Sequence, residues 1–428
     1  MIIIKNPHPD TWNELLRRPS LGTQKLFSIV SEVMEDVRSG GDEALRRYEL
    51  KFDHVNIENL VVEDSEFYDA VSSVPEDLKN AIEIAYNNIY KFHAAQRFNE
   101  IEVETSPGVM CIQRAVPIEK VGLYIPGGTA PLFSTVLMLA IPAKIAGCDE
   151  IVLCSPPDVN GKINPAVLYA ARVAGVTKVF KVGGSQAIAA MAYGTESVPK
   201  VDKIFGPGNQ FVVAAKQLVS LEDVAIDMPA GPSEVEVLAD ETANPAFIAA
   251  DLLSQAEHGA DSQVLFVSTD LDLIAKVELE LSEQLQHLSR KEIAEQALLH
   301  SKTIYVEDMD TAVAITNEYA PEHLIISTKD YVDVSRRITH AGSVFLGNYS
   351  CESAGDYASG TNHTLPTKAY ARSYGGLSLD SFVRKMTLQK LTPEGISSIG
   401  HAVELMAAAE GLDAHKNAMT LRLKSLEK

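Results

Sequence analysis

From Val121 onward, short apolar segments alternate with segments of helical periodicity, at a repeat of roughly 25–30 residues. Such alternation predicts successive β-α units, whose strands pair in parallel. The predicted strands are 121–125, 150–154, 178–182, 201–205 and 224–227, and the predicted helices are 132–146, 164–174, 185–194 and 208–219. Together these units indicate a doubly wound parallel sheet.

A second set of units follows from Glu234. Its predicted strands lie near 235–239, 262–268, 302–306, 323–327 and 343–347, and helices separate them. Residues 1–20 read as a short arm, and the chain after about Leu377 is mostly helical and polar. The predicted fold class is therefore α/β, with two Rossmann-like doubly wound parallel-sheet domains, a short N-terminal arm and a helical C-terminal tail.

The composition narrows the possible partners. Of 428 residues, 46% are hydrophobic and 22% charged, as in ordinary globular proteins, and a formal net charge of -21 argues against nucleic acid. The start, Met1–Pro7, has too few apolar residues for a signal peptide, and the apolar run 131–143 is too short to span a bilayer. Four cysteines without a CxxC pair fit reduced thiols. We therefore expect a cytoplasmic protein with no membrane partner, in which any metal is held by N and O atoms.

One predicted helix ends with two polar groups on its buried face. Asn244 and Pro245 are typical of a helix start, and Gly259 of a helix end. Gln255 falls on the same stripe as the apolar residues before it, and His258 follows one turn later. A metal ion or ligand would satisfy both groups. Alternatively, His258 complements the helix dipole while Gln255 caps a carbonyl.

Three glycine-rich loops follow strands of the first sheet. They are Tyr124–Thr129, Gly183–Gln186 and Gly206–Asn209, and each leads into a helix. Glycine lets backbone N–H groups approach a phosphate, and a helix N-terminus favours an anion, so a dinucleotide is plausible. None of the loops reads GxGxxG, and tight turns also need glycine for packing alone.

Acids and histidines recur in the second half of the chain. Glu322 and His323 stand side by side before a strand, where they can transfer protons or act as ordinary loop residues. A loop of small residues after the last strand presents Asp356 and His363, and the tail carries another acid and His415. Gln, His, Asp and His without Cys form a plausible set of N and O ligands for Zn²⁺.

Seven motifs together resemble histidinol dehydrogenase across nearly the whole chain. They are LYIPGG (123–128), GPGN (206–209), AGPSEV (230–235), SQAEHG (254–259), APEHL (320–324), SAGDYASGTNHTLPT (353–367) and EGLDAHKNA (410–418). The resemblance implies a zinc- and NAD-dependent oxidation of L-histidinol, through the aldehyde, to L-histidine. It also implies a homodimer whose active site is shared between subunits, with one Zn²⁺ per subunit.

The resemblance assigns roles by residue. The implied zinc ligands are Gln255, His258, Asp356 and His415, and the implied proton-transfer pair is Glu322 and His323. The implied substrate contacts are Ser233, Gln255, His258, His323, Asp356, His363, Glu410 and His415, and the implied cofactor contacts are Tyr124, Gln186 and Asn209.

The expected domains follow from these assignments. They are the arm (1–20), a discontinuous α/β domain with the metal and base residues (21–123 and 234–376), an NAD-side α/β domain (124–233) and the tail (377–428). Two other classes stay open at this point. A zinc hydrolase would use the same ligands but has no need of dinucleotide-type turns, and a non-catalytic metal-binding module leaves the Glu-His pair without a task.

Overall fold

The computed structural model describes residues 1–19, 23–127, 131–228 and 231–427. Its strands are β1 (Ile2–Lys5), β2 (Ile101–Ser106), β3 (Val109–Pro117), β4 (Lys120–Tyr124), β5 (Glu150–Ser155), β6 (Lys178–Lys181), β7 (Lys203–Phe205), β8 (Ala225–Ile226), β9 (Glu234–Ala239), β10 (Gln263–Ser268), β11 (Lys302–Tyr305), β12 (His323–Ser327), β13 (Ser343–Leu346) and β14 (Val383–Leu391).

The helices separate these strands. They are α1 (Trp12–Leu15), α2 (Thr23–Tyr48), α3 (Asp64–Ser73), α4 (Glu76–Ala94), α5 (Phe133–Ala146), α6 (Pro165–Ala174), α7 (Gly184–Tyr193), α8 (Gln210–Glu222), α9 (Pro245–Ala256), α10 (Leu271–Leu285), α11 (Lys291–Leu299), α12 (Met309–Tyr319), α13 (Tyr331–Ser335), α14 (Glu352–Tyr357), α15 (Pro393–Ala409) and α16 (Asp413–Leu426).

Two parallel sheets carry the fold, as the alternating pattern predicts. The order β6-β5-β4-β7-β8 forms a five-stranded sheet, and β1-β11-β10-β9-β12-β13 forms a six-stranded one. Every strand pair in both sheets is parallel. Counted from β4 in one sheet and from β9 in the other, both follow the order 3-2-1-4-5 of a doubly wound fold. The predicted fold class is confirmed.

Two segments depart from the sequence prediction. Residues 2–5 of the predicted arm form β1, which pairs with β11 at the edge of the six-stranded sheet. Within the predicted helical tail, β14 pairs antiparallel with β3, and β2 completes this three-stranded sheet. Both strands pair with segments far away in the sequence, so their local pattern does not reveal them. Residue 20 of the arm and residues 21–22 after it lie outside the described residues.

Packing explains two sequence patterns around the five-stranded sheet. Helix α5 is apolar on all sides because nearly all of its residues are buried, in contact with α4, α6 and the sheet. Phe205 at the end of β7 stacks on Phe382, with ring centroids 4.2 Å apart, which fixes the start of β14 against this sheet. Among the described residues, no helix is long and apolar enough to cross a membrane.

Candidate active site

A buried polar cluster lies where the amino ends of two neighbouring strands meet. In the six-stranded sheet, β9 and β12 pair in parallel, with His323 opposite Val235. Glu322 and His323 therefore sit beside Ser233 and Glu234, at the amino edge of the sheet. This is opposite to the carboxyl edge, where open α/β sheets usually bind ligands. Helices α9 and α14 complete the cluster.

His323 is the centre of the cluster. Its ring is buried, and Nδ1 lies 3.2 Å from the backbone carbonyl of Glu234. Because a carbonyl oxygen can only accept, Nδ1 carries the proton and Nε2 faces Asp356, whose Oδ1 is 3.5 Å away. Nδ1 is also 3.6 Å from the Glu322 carboxyl and 3.9 Å from that of Glu352.

These carboxyl groups set the basicity of His323. Burial lowers the pKa of the imidazole, but the charges of Glu352 and Glu322 outweigh burial and raise it well above the ordinary value. The imidazole is thereby made a stronger proton acceptor. For Asp356 the balance is opposite, since burial raises its pKa but the neighbouring His323 lowers it further.

Glu322 is a buried carboxyl with a fixed orientation. Its Oε2 accepts a hydrogen bond from the backbone N–H of Glu234, at 2.8 Å. Burial raises the pKa of Glu322 above its usual value, although His323 opposes this. A carboxyl with a raised pKa is a stronger base than an ordinary carboxylate, which suits proton transfer beside an imidazole.

Three ligand-type groups converge on one point. One atom from each of His258, Glu352 and Asp356 lies within 4.8 Å of the others. Buried atoms of His323, Glu352 and Asp356, namely Nε2, Oε2 and Oδ1, have no hydrogen-bond partner in the part of the chain that the structure describes. A divalent cation bound by N and O atoms fits both the donor set and these unsatisfied atoms.

Gln255 joins this group from the last turn of α9. Its side chain is buried, and Asn244 caps the helix start as expected, accepting from the N–H of Ala246. With its amide nitrogen 2.5 Å from Glu352 Oε1, the amide oxygen accepts from the Glu234 N–H at 2.8 Å. Because the Gln255 amide nitrogen is bound to Glu352, the amide oxygen is the end that points away from Glu352.

The structure brings together three of the four expected metal ligands. Gln255, His258 and Asp356 surround the cluster, whereas His415 lies exposed on α16, which packs against α15. Sequence reasoning missed Glu352. The one available signal was its spacing of four residues from Asp356, which puts both carboxylates on the same face of α14.

The expected substrate residues His363, Ser233 and Glu410 lie in three different places. His363 bridges the two halves of the chain: Nδ1 donates to the Asp356 carbonyl at 2.9 Å, and Nε2 lies 3.1 Å from Thr135 Oγ1 on α5. Ser233 is half-buried directly before β9. Glu410 is exposed at the end of α15 and close to His415 in sequence.

The expected cofactor residues lie at the carboxyl edge of the five-stranded sheet. Tyr124 is buried, and its hydroxyl accepts from the N–H of Gly184 at 3.0 Å. Gln186 is buried and donates to Glu49 Oε1 at 3.0 Å. Asn209 is exposed and caps α8 by accepting from two backbone N–H groups. Residues 128–130 of the first glycine-rich loop lie outside the described residues.

Close packing explains some of the loop glycines. A Cβ on Gly206 would lie 2.1 Å from the Tyr124 carbonyl oxygen, and one on Gly183 would lie 2.5 Å from the Pro156 side chain. Sequence reasoning did not single out Glu49. Its carboxyl fixes the loop at this edge, because Oε1 accepts a hydrogen bond from the Gly183 N–H at 3.0 Å. Burial raises the pKa of Glu49 to about 7.

Comparison with known proteins points to one family. A family model described as histidinol dehydrogenase matches residues 16–423. A histidinol dehydrogenase of Bacteroides fragilis is 63% identical over 428 residues, covering 100% of both chains. One of Escherichia coli is 52% identical over 417 residues, 97% of this chain and 95% of that protein. The crystal structure of the histidinol dehydrogenase from Elizabethkingia anophelis matches with a TM-score of 0.98 and 54% identity, covering 100% of this chain and 99% of that one.

The convergence of donors predicts the behaviour of metal-binding variants. His258→Ala and Asp356→Ala should each weaken binding of a divalent metal by more than the roughly 10- to 100-fold typical of losing an outer partner. Co²⁺ titration followed by absorbance, with elemental analysis, measures this. His287→Ala, at an exposed histidine just after α10, is the matched control and should bind as the parent does. Parental affinity in both site variants would remove these residues from the ligand set.

Proposed function

The chain belongs to the histidinol dehydrogenase family of histidine biosynthesis, and from this premise we propose that it oxidises L-histidinol, through L-histidinal, to L-histidine. Bound NAD would supply the hydride acceptor for both oxidations. The observation that carries this proposal is the buried Glu322 and His323 pair, beside a convergence of metal-type donors. A proton-transfer pair and a cation site are the groups that such an oxidation requires.

Zinc is the metal that these donors suit. Gln255, His258 and Asp356 would hold it together with His415 of the partner subunit, without any thiolate. When bound, zinc would supply a positive charge that holds and orients the substrate. The unsatisfied Oδ1 of Asp356 and the nearby His258 support this assignment. Glu352 then serves by accepting from the Gln255 amide, which orients the amide oxygen.

The two neighbouring residues take separate steps. His323 accepts the alcohol proton as the hydride leaves the carbinol carbon for NAD, which yields the aldehyde. Glu322 accepts a proton from the water that adds to this aldehyde, and the hydrate then loses the second hydride to a second NAD. The fixed orientation of both side chains by the Glu234 backbone supports these roles. Holding the aldehyde in the site protects it from side reactions.

The remaining contacts are assigned by position. Ser233 and His363 flank the cluster and would contact the substrate, and Glu410 would do so from the partner subunit. Tyr124, Gln186 and Asn209 would contact NAD at the carboxyl edge of the five-stranded sheet, where helix N-termini favour its phosphates. The bond from His363 to Thr135 on α5 supports bringing the two edges to one site.

A homodimer would complete the site. The α15–α16 pair leaves large apolar side chains exposed, among them Leu405 at 73%, Met406 at 67% and Leu421 at 59%. Large exposed apolar side chains on one helix pair are typical of a protein contact. The pair also carries Glu410 and His415, so a partner subunit that buried this face would receive both residues. The proposed location of the enzyme is the cytoplasm.

The reaction is tested by its stoichiometry. Purified protein loaded with zinc should form two NADH for each L-histidinol consumed, because the alcohol and the aldehyde each lose one hydride. Absorbance at the NADH band, with histidine measured at completion, gives the ratio. One NADH per substrate would reject the second step, and no NADH would reject the proposed reaction.

The division of labour is tested by two substitutions. Glu322→Gln should slow oxidation of L-histidinal more than that of L-histidinol, by about 100-fold or more, because only the aldehyde step needs an activated water. His323→Asn should harm both steps. Steady-state rates on each substrate measure this, and His340→Asn, at a half-buried histidine outside the cluster, is the control. Equal losses on both substrates in both variants would refute the assignment.

The shared site is tested by complementation. A heterodimer of a His258→Ala subunit and a His415→Ala subunit has one site with both lesions and one intact site. Random mixing makes half of the dimers heterodimers, so two nearly inactive variants should together recover about a quarter of parental activity. Differently tagged chains confirm the exchange of subunits. An exchanged mixture that stays inactive would contradict a site shared between subunits.

A further inference from the structure

Arg18, at the end of the N-terminal arm, reaches the back of the candidate active site. Its guanidinium forms two hydrogen bonds to the Glu234 carboxylate, Nε to Oε1 at 3.0 Å and Nη2 to Oε2 at 2.8 Å. The guanidinium also lies 3.8 Å from the ring centroid of Tyr319. The Arg18 side chain is 14% exposed and that of Glu234 is 2% exposed, so this two-pronged ion pair is largely screened from water.

Glu234 is the residue whose backbone holds both members of the proton-transfer pair. Its N–H donates to Glu322 Oε2 at 2.8 Å, and its carbonyl accepts from His323 Nδ1 at 3.2 Å. The N–H on one side of the Glu234 Cα thus orients the Glu322 carboxyl, and the carbonyl on the other side orients the His323 imidazole. Any rotation of this residue would turn both groups at once.

Arg18 also braces the turn that carries the pair. Its Nη2 donates to the Tyr319 carbonyl at 2.6 Å, at the end of α12. The next residue, Ala320, has a φ of 51°, a left-handed conformation that a residue with a Cβ rarely adopts. Pro321 and Glu322 follow directly. The same side chain therefore fixes β9 and the strained entry to β12, the two segments on which the pair stands.

We propose that Arg18 is a positioning residue for the reaction: through the Glu234 carboxylate and the Tyr319 carbonyl it fixes the backbone that orients Glu322 and His323. This inference rests on the proposed roles of that pair. Arg18 acts through these two groups and not directly on the reacting atoms. The N-terminal arm thereby contributes a positioning residue, although no sequence motif marks Arg18.

The primary test replaces Arg18 with Met, which keeps an unbranched chain over Tyr319 and removes every donor. Arg18→Met should lower kcat by about 10- to 100-fold on both L-histidinol and L-histidinal, because both proton-transfer groups lose their alignment. KM for NAD should change less than about twofold, and zinc content should be parental. Arg17→Met, the same change at the exposed neighbour, should behave as the parent. A parental kcat for Arg18→Met would overturn the inference.

A double-mutant cycle separates positioning from a general structural role. In a His323→Asn background, Arg18→Met should lower the residual rate of the first hydride loss from L-histidinol less than about threefold, because His323, the group that Arg18 aligns for that step, is already gone. Losses that multiply would show that Arg18 acts independently of His323 and would overturn the inference.

Arg18→Met leaves the buried Glu234 carboxylate unpaired, which would lower the stability of the fold. A second pair of variants separates this loss of stability from a loss of positioning. Arg18→Met combined with Glu234→Gln removes both charges and should restore the Tm toward the parental value, while kcat stays low because the two-pronged grip is still absent. Recovery of kcat together with Tm would mean that Arg18 serves stability alone, which refutes positioning. Arg18→Lys, which keeps a charge without the planar fork, should give an intermediate kcat.

These outcomes are separable from failure of the proposed function. If the parental protein forms no NADH from L-histidinol, the proposed function fails. If the parent is active and Arg18→Met matches it, only the positioning role fails.

Discussion

The burial of several carboxylates around one imidazole is the constraint on which the rest of this structure depends. Glu322 and Glu352 are buried and Asp356 is mostly so, and all three lie within 4 Å of His323. Charged groups removed from water are strongly destabilising unless they are paired and hydrogen-bonded. The fold therefore has to bring donors and positive charge to this point from several distant segments.

Parallel strands meet this demand at their amino ends. Neighbouring strands β9 and β12 begin side by side, so that the free backbone groups of Glu234 can bond to both Glu322 and His323. Arg18 then neutralises the charge of the Glu234 side chain, and a bound cation would neutralise the charge of the carboxyl groups around His323. The buried carboxyl groups that need these partners also raise the pKa of His323, so stability and chemistry have one physical origin.

The two sheets share a strand order but present opposite edges. The five-stranded sheet offers the carboxyl ends of its strands, with tight glycine turns at Gly183 and Gly206, and the six-stranded sheet offers amino ends. Carboxyl ends precede helix N-termini, which suit phosphates, whereas the amino ends here collect acids and histidines. His363, bonded to α14 and close to Thr135 on α5, connects the two edges. Two sheets with the same strand order thus present two chemically different edges, one suited to phosphates and one rich in acids and histidines.

The amino-acid sequence by itself determined the alternation of strands and helices, the parallel α/β class and the candidate motifs, because these depend on local periodicity and on short runs of chemically distinctive residues. It indicated that Gln255 turns inward, since helix geometry fixes that direction. Only the tertiary structure decided that β1 and β14 are strands and that Glu352, Glu234 and Arg18 belong to the site. Their partners are separated from them by long stretches of chain, so hydrogen bonds and charge pairs formed on folding, rather than any local pattern, give them their roles.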